Sequence, residues 1–233
     1  MKKILFLYVW FSVRGFIPRK KGLGVSLSDY KARMTSQVSL MRSMNGKAGF
    51  VVFGDSNAEN LDTVENRKQL GQGVEGFSLN FGIGGMRLDQ WVEFLESADG
   101  AFLLELIRTD KPIVVINIGG NNALQMRMAG IPDLFRRLKN LVPDAYACTC
   151  PPIHLGFFEA AGIDRDKLRS NVITINQEIQ LVFQERTIDL YNPFMDAGTG
   201  EAYFTILQDA VHFSDDADRR FRIPIIRKAV GLG

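Results

Sequence analysis

The sequence predicts an α/β protein, a single parallel sheet covered by helices on both faces. Three observations carry this. From residue 48 onwards short apolar runs alternate with stretches of helical periodicity, the pattern of βαβ units. The clearest run, Ile113-Val114-Val115-Ile116-Asn117-Ile118, is continuous and rich in β-branched residues, as a strand buried on both faces should be. Glycine-bearing turns follow the first three runs, at Gly54, Gly82 and Gly119. Five such strands define a doubly wound, flavodoxin-like, three-layer α/β/α arrangement with a five-stranded parallel sheet, in which ligands bind beyond the carboxyl ends of the strands.

The first strand covers residues 49–53 and stops at Gly54; the second covers 77–81. Helical patterns over 88–95 and 102–107 lead to the central strand, 113–118. Leu134, Leu138 and Leu141 share one helical face before a fourth strand, 145–149, which ends at Pro151-Pro152. Residues 168–183 carry Val172, Ile175, Ile179 and Val182, the spacing of an amphipathic helix. The last strand spans 188–191. Ser214 reads as an N-cap with Asp215 and Asp216 in the first turn, where the helix dipole favours acids. That final helix runs towards Val230, with Pro224 imposing a kink or a break. No internal repeat, low-complexity tract or second domain is visible.

A chain of 233 residues with 46% hydrophobic and 23% charged side chains suffices for one soluble domain with a sizeable core. The net charge of +2 gives no ground for a nucleic-acid partner. Residues 1–33 carry +7, leaving −5 for the remainder, so residues 1–47 read as a basic N-terminal extension and 48–233 as the domain. Within the extension, Lys2 and Lys3 precede an apolar run of residues 4–13, like the head of a secretory signal. No small-x-small cleavage site follows, and the run is well short of the ~20 residues that span a bilayer. Two readings stand. Residues 1–21 form a signal or an anchor that contacts a membrane surface, or they belong to an extension with a lead-in helix, Met34 lying nearer the start of the domain. Cys148 and Cys150 stand two apart in a predicted strand. Both then point to one face, where a strain-free disulfide cannot form, and two ligands fall short of a zinc site. Reduced cysteines lean towards the cytoplasm, against the signal-like head.

Four motifs fall at strand ends. Gly54-Asp55-Ser56-Asn57 follows the first strand. A serine on a tight strand-to-helix turn exposes its hydroxyl and its own N–H at the sheet edge, although it could equally cap the next helix. Asn80-Phe81-Gly82-Ile83-Gly84-Gly85 follows the second, where Gly84 or Gly85 could aim an N–H at an oxyanion. It lacks the residues of a P-loop or a dinucleotide fingerprint. Gly119-Gly120-Asn121-Asn122 follows the third. The Asn121 amide can donate to developing negative charge, while Asn122 reads as the cap of a helix beginning near Ala123. In Asp209-Ala210-Val211-His212 the spacing lets the carboxylate fix the imidazole tautomer, freeing the other nitrogen to take a proton from a serine. The second histidine, His154, falls in a loop after Pro151-Pro152 and reads as solvent-exposed or cleft-lining.

The order Ser, Gly, Asn, His, with an Asp three residues before the His, resembles the SGNH (GDSL-type) hydrolase superfamily over roughly residues 48–230. The second and third blocks look most like those of the platelet-activating-factor acetylhydrolase catalytic subunits and their relatives. The resemblance implies Ser56 as nucleophile, His212 as general base and Asp209 as its orienting partner. It implies oxyanion donors at the Ser56 N–H, the Gly85 N–H and the Asn121 side chain. Asn57, Met86, Arg87, Asn122 and His154 are candidates to border the substrate pocket, with Met86-Arg87 making it bulkier and cationic; Phe157 and Phe158 could line it too. The implied activity is hydrolysis of small-acyl esters, acetyl above all and on carbohydrate in particular, with no metal and no organic cofactor. Lysophospholipid or thioester cleavage, acyl transfer to another acceptor, and a catalytically silent binding module on the same fold are the alternatives.

Overall fold

The computed structural model describes residues 27–233. The signal-like run lies outside them. The helix α1 (Leu27–Ser43) leads into β1 (Ala48–Gly54), α2 (Ser56–Glu59), α3 (Val64–Leu70) and β2 (Phe77–Gly82). Next come α4 (Leu88–Glu96), α5 (Ala101–Asp110), β3 (Ile113–Asn117), α6 (Gly120–Leu124), α7 (Ile131–Leu141) and β4 (Tyr146–Cys148). The chain closes with α8 (Leu155–Ala160), α9 (Arg165–Phe183), β5 (Thr187–Ile188), α10 (Asp215–Ala217) and α11 (Ile223–Ala229). All five strands are parallel, in the order β2-β1-β3-β4-β5. The chain winds outwards in both directions from β1, so the switch point lies between the carboxyl ends of β1 and β3.

The two-residue period of a strand divides the core into two layers. On β1, Val51 and Phe53 join Leu79, Phe81, Val114 and Ile116 against Trp91 and Leu95 of α4, Phe135 of α7 and Ile175 of α9. Phe50 and Val52 point the other way and join Val115, Cys148 and Ile188 against Ala58 of α2, Leu70 of α3 and Ile223 and Ile226 of α11. From the extension's side of residue 48, α1 places Met34 and Met41 in the first layer. Among the described residues no helix is long and apolar enough to cross a membrane.

Three local readings of the sequence are corrected. The last strand is two residues long instead of four. Beyond Ile188 the Leu190 amide donates to Thr149 Oγ1 at 2.8 Å, and the Asp189 carboxylate takes the Tyr191 and Asn192 amides at 2.9 and 3.1 Å. Side chains thus take the bonds that a longer strand would give to its neighbour. The cysteines do not share a face: β4 ends at Cys148, so strand alternation stops there. Cys148 packs in the second layer and Cys150 in the first, both free and buried. Finally, the sequence reading passed over α3 and α8, short helices capped by Thr63 and His154. Ser214 caps α10, accepting from the Ala217 amide at 3.2 Å, but that helix is one turn long and the chain reaches Val230 only through a second helix, α11. The break associated with Pro224 is a wide π-turn over Asp218–Arg222, immediately before the proline's own helix.

Candidate active site

The Ser56 turn is built from close backbone approaches. Gly54 ends β1 at φ +150°, and a Cβ there would lie 1.8 Å from the Asn117 carbonyl oxygen of β3. No other residue fits such a contact at a positive φ. Its carbonyl accepts from the Ile83 amide at 2.9 Å and from Trp91 Nε1 at 2.8 Å, and the Asp55 amide donates to the Asn117 carbonyl at 2.9 Å. Gly82, at the end of β2, faces α2 so closely that a Cβ would stand 2.1 Å from the Glu59 nitrogen. Asn80 completes the junction: its Nδ2 donates to the Ala58 carbonyl at 2.8 Å and its Oδ1 accepts from the Gly82 amide at 2.8 Å. From α1, Arg33 reaches the Gly82 carbonyl and Gln37 the Asn80 carbonyl.

Asp55 caps α2, its Oδ1 accepting from the Asn57 amide at 2.9 Å. It is 2% exposed. Burial pushes its carboxyl up to about 6, against the Asn57 amide and the nearby charges of His212 and Arg222, which draw it down.

Ser56, His212 and Asp209, 153 residues or more apart from serine to acid, meet in one line. His212 Nε2 is 2.8 Å from Ser56 Oγ, and His212 Nδ1 is 2.7 Å from Asp209 Oδ2. The second carboxylate oxygen accepts from the Val211 and His212 amides, both at 2.8 Å. The Asp209 carboxyl is partly desolvated, which opposes ionisation; the His212 side-chain bond and charge and those two amides outweigh this and hold it below the usual value. An ionised carboxylate on Nδ1 leaves Nε2 as the acceptor facing the serine hydroxyl. The loop itself is a tight hairpin: Leu207 bridges Phe213, the Gln208 amide donates to the His212 carbonyl at 2.9 Å, and the His154 amide donates to the Ala210 carbonyl at 2.9 Å.

Asn121 stands in α6 at the carboxyl end of β3, 2% exposed. Its Nδ2 donates to the Met86 carbonyl at 3.1 Å, which ties the side chain to the turn holding Gly84 and Gly85. Both glycines are exposed, and a Cβ built on Gly84 would be 3.9 Å from the Ser56 Cβ. An amide nitrogen carries two hydrogens, so the Met86 bond leaves Asn121 one to offer. Ser56, Asn57 and Asn121 line a narrow pocket whose other walls include Leu124, Cys150, Ile153, Val172 and Val211.

The other candidates take different places. Asn122 is 1% exposed; its Oδ1 accepts from the Leu88 amide at 2.8 Å and its Nδ2 reaches Asp89 Oδ1 and the Arg127 carbonyl, both at 3.1 Å. It fastens the start of α4 to α6 and does not cap a helix at Ala123 as the sequence suggests, because α6 already begins at Gly120, after Gly119. Arg87 forks onto Asp89 at 3.0 and 2.7 Å, so its charge is met within the protein. Met86 is buried and gives its carbonyl to Asn121. His154 caps α8, with Nδ1 accepting from the Phe157 amide at 3.2 Å. Phe158 is buried in the core. Sequence reasoning passed over Trp91, which any amphipathic helix could carry, and Arg222, which reads as a surface charge beside Arg219 and Arg220. Among the described residues no group of three or more His, Cys, Asp or Glu could hold a metal ion.

A parallel, doubly wound sheet with Ser, His and Asp hydrogen-bonded in series at its carboxyl edge defines a recognisable class of α/β protein. No family model matches the chain, and no curated protein does. Solved structures do match. A GDSL-like lipase from Bacteroides thetaiotaomicron is 16% identical with a TM-score of 0.64, over 88% of this chain and 98% of that one. An acetylxylan esterase from Geobacillus stearothermophilus, solved as a catalytic mutant, is 19% identical with a TM-score of 0.55, over 81% of this chain and 96% of that one. A protein from Slackia heliotrinireducens described as an SGNH hydrolase is 16% identical with a TM-score of 0.51, over 80% and 100%. The chain therefore has the fold of the SGNH hydrolases.

Proposed function

We propose that the protein is a serine esterase that cleaves small-acyl carboxylic esters. The observation that carries this reading is the series Ser56 Oγ, His212 Nε2, His212 Nδ1, Asp209 Oδ2, with separations of 2.8 and 2.7 Å across its two hydrogen bonds. His212 takes the serine proton as Ser56 Oγ attacks the ester carbonyl. The carbonyl oxygen gains negative charge and is met by the Ser56 N–H, the Gly85 N–H and the Asn121 amide. His212 then returns the proton to the departing alcohol, leaving an acyl-Ser56 ester. Water, deprotonated by the same imidazole, attacks that ester and releases the acid and the free serine.

The pocket beside Ser56 supports the small acyl group. Its space, about 20 Å³, is on the order of one water molecule. A methyl group suits that space. The acetylxylan esterase among the structural neighbours makes an acetylated sugar the first natural ester to try. The test is hydrolysis of p-nitrophenyl acetate by purified wild type and Ser56→Ala. The reading expects turnover in the wild type that Ser56→Ala abolishes; a variant retaining near-wild-type rate rejects it. A series of p-nitrophenyl esters should show kcat/KM falling steeply beyond short acyl chains, whereas rising rates would favour lysophospholipid or thioester cleavage.

A further inference from the structure

Arg222 has no exposed surface, and its guanidinium spans the two arms of the site. Nη1 donates to the Asn57 carbonyl at 2.8 Å, one residue beyond Ser56. Nη2 donates to Asp218 Oδ2 at 2.8 Å, and Nε lies 2.7 Å from Asp218 Oδ1. Asp218 is equally buried, and its amide donates to the Ser214 carbonyl at 2.9 Å. The guanidinium also lies over the Phe213 ring, 5.0 Å from its centroid. Phe213 is the chain neighbour of His212.

The Asn57 carbonyl has need of that donor. In a longer helix the Leu61 amide would serve it, but that amide turns to Ala58 at 3.1 Å as α2 tightens and ends. Asp55 pins the front of the serine turn through the Asn57 N–H; Arg222 pins its back through the Asn57 C=O. Asp218 and Phe213 anchor the same guanidinium to the segment that follows His212. A buried ion pair is weak support for stability, since apolar residues of similar volume often replace it without loss. What this pair supplies is a bonded link from the segment after His212 to the backbone of the serine turn.

We infer that Arg222 is a positioning residue for acyl transfer at Ser56, holding the serine turn in register with His212. The inference rests on the serine-esterase reading. Arg222 touches no substrate, and it acts through the Asn57 carbonyl and the Phe213 ring. Its loss therefore lowers turnover and leaves ester binding in place.

The experiment compares wild type, Arg222→Lys and the double variant Asp218→Leu/Arg222→Met. It measures p-nitrophenyl acetate kinetics, the rate of fluorophosphonate labelling at Ser56, and near-UV circular dichroism to count folded protein. The double variant replaces the buried ion pair with apolar side chains but leaves the Asn57 carbonyl without its donor. Misplacement of a reacting group by about 1 Å can cost 10²-fold. Per folded molecule, kcat and the labelling rate should fall by about that factor while KM stays within about twofold. Arg222→Lys, which can still reach the Asn57 carbonyl but cannot hold both partners, should recover part of the loss. Folded variants with wild-type kcat, or kcat that follows only the folded fraction, overturn the inference. If the double variant does not fold, Arg222→Lys decides alone by the same criteria. Wild-type protein that is not labelled at Ser56 defeats the esterase reading itself, and the Arg222 role falls with it.

Discussion

Ser56 sits where β1 passes into α2, its turn bonded into the strand ends of β2 and β3. Asp209 and His212 sit in a stretch, residues 189–214, that holds only short 3₁₀ turns and isolated bridges. One arm of the site is thus fixed by regular structure and the other by side chains that substitute for it. On the serine side, Gly54 and Gly82 let backbones approach, and a substitution there moves a strand end or a helix. On the histidine side, the Asp209 carboxylate both orients the imidazole and folds its own loop, because Oδ1 takes two backbone amides while Oδ2 takes the ring. The same hydrogen-bonded series is reached by two kinds of rigidity, and they should break in different ways.

The largest break should come from the loop. Asp209→Asn keeps the shape but presents a mixed donor and acceptor to Nδ1, so the wrong tautomer becomes accessible; kcat should fall by about 10⁴, measured on p-nitrophenyl acetate. Next comes the carboxyl end of β3. Asn121→Ala removes one of the proposed oxyanion donors and should lower turnover by ~10²–10³ with a smaller change in KM; unchanged turnover would remove Asn121 from the oxyanion site.

The serine arm should answer in stability instead. The raised value of Asp55, about 6 against 3.8, means that its contribution to stability is complete below the unfolded value and is lost as pH rises through about 6. Asp55→Asn can still accept from the Asn57 amide and cannot ionise. It should gain stability over wild type as pH rises, on the order of 3 kcal/mol when wild-type Asp55 is fully charged. Denaturant melts at about pH 4.5 and about pH 7.5 measure the widening gap. A gap that stays constant would show that Asp55 carries no such cost. Asp209 has the opposite sign: its depressed value gives stability that is present above the unfolded value and is lost as pH falls through the folded one. The smallest effect belongs to His154→Ala. It removes the side-chain cap of α8 but keeps the His154 amide that holds Ala210, and should cost about 1 kcal/mol by the same melts.

The contrast between the arms also explains what could be read from the sequence. The five strands and helices α4, α5, α7 and α9 were legible because apolar period and β-branching survive without tertiary context, whereas α1, whose residues carry no clear apolar face, was expected only as a lead-in helix. Gly54-Asp55-Ser56 and Gly119-Gly120-Asn121 were legible because each follows such a strand. The loop was readable only as spacing: Asp209-x-x-His212 states that two side chains can meet, but nothing in residues 189–214 announces a hairpin closed from Leu207 to Phe213. The short last strand depended on Thr149 and Asp189 capturing amides across the fold, and the opposed cysteines on where β4 ends. Both are decided by partners distant in sequence. Arg222 was hidden for the same reason, since its burial follows from the packing of the C-terminal segment against α3, with the guanidinium reaching Asn57 of α2, and not from its neighbours in the chain.

The account stands on Ser56 being a nucleophile activated by His212. Folded wild-type protein treated with a fluorophosphonate and analysed by intact mass and peptide mapping tests this directly. One adduct per chain, on Ser56, absent from Ser56→Ala and strongly slowed in His212→Ala, is the predicted result. No adduct on the folded protein, or an adduct on another residue with Ser56 unmodified, would contradict it.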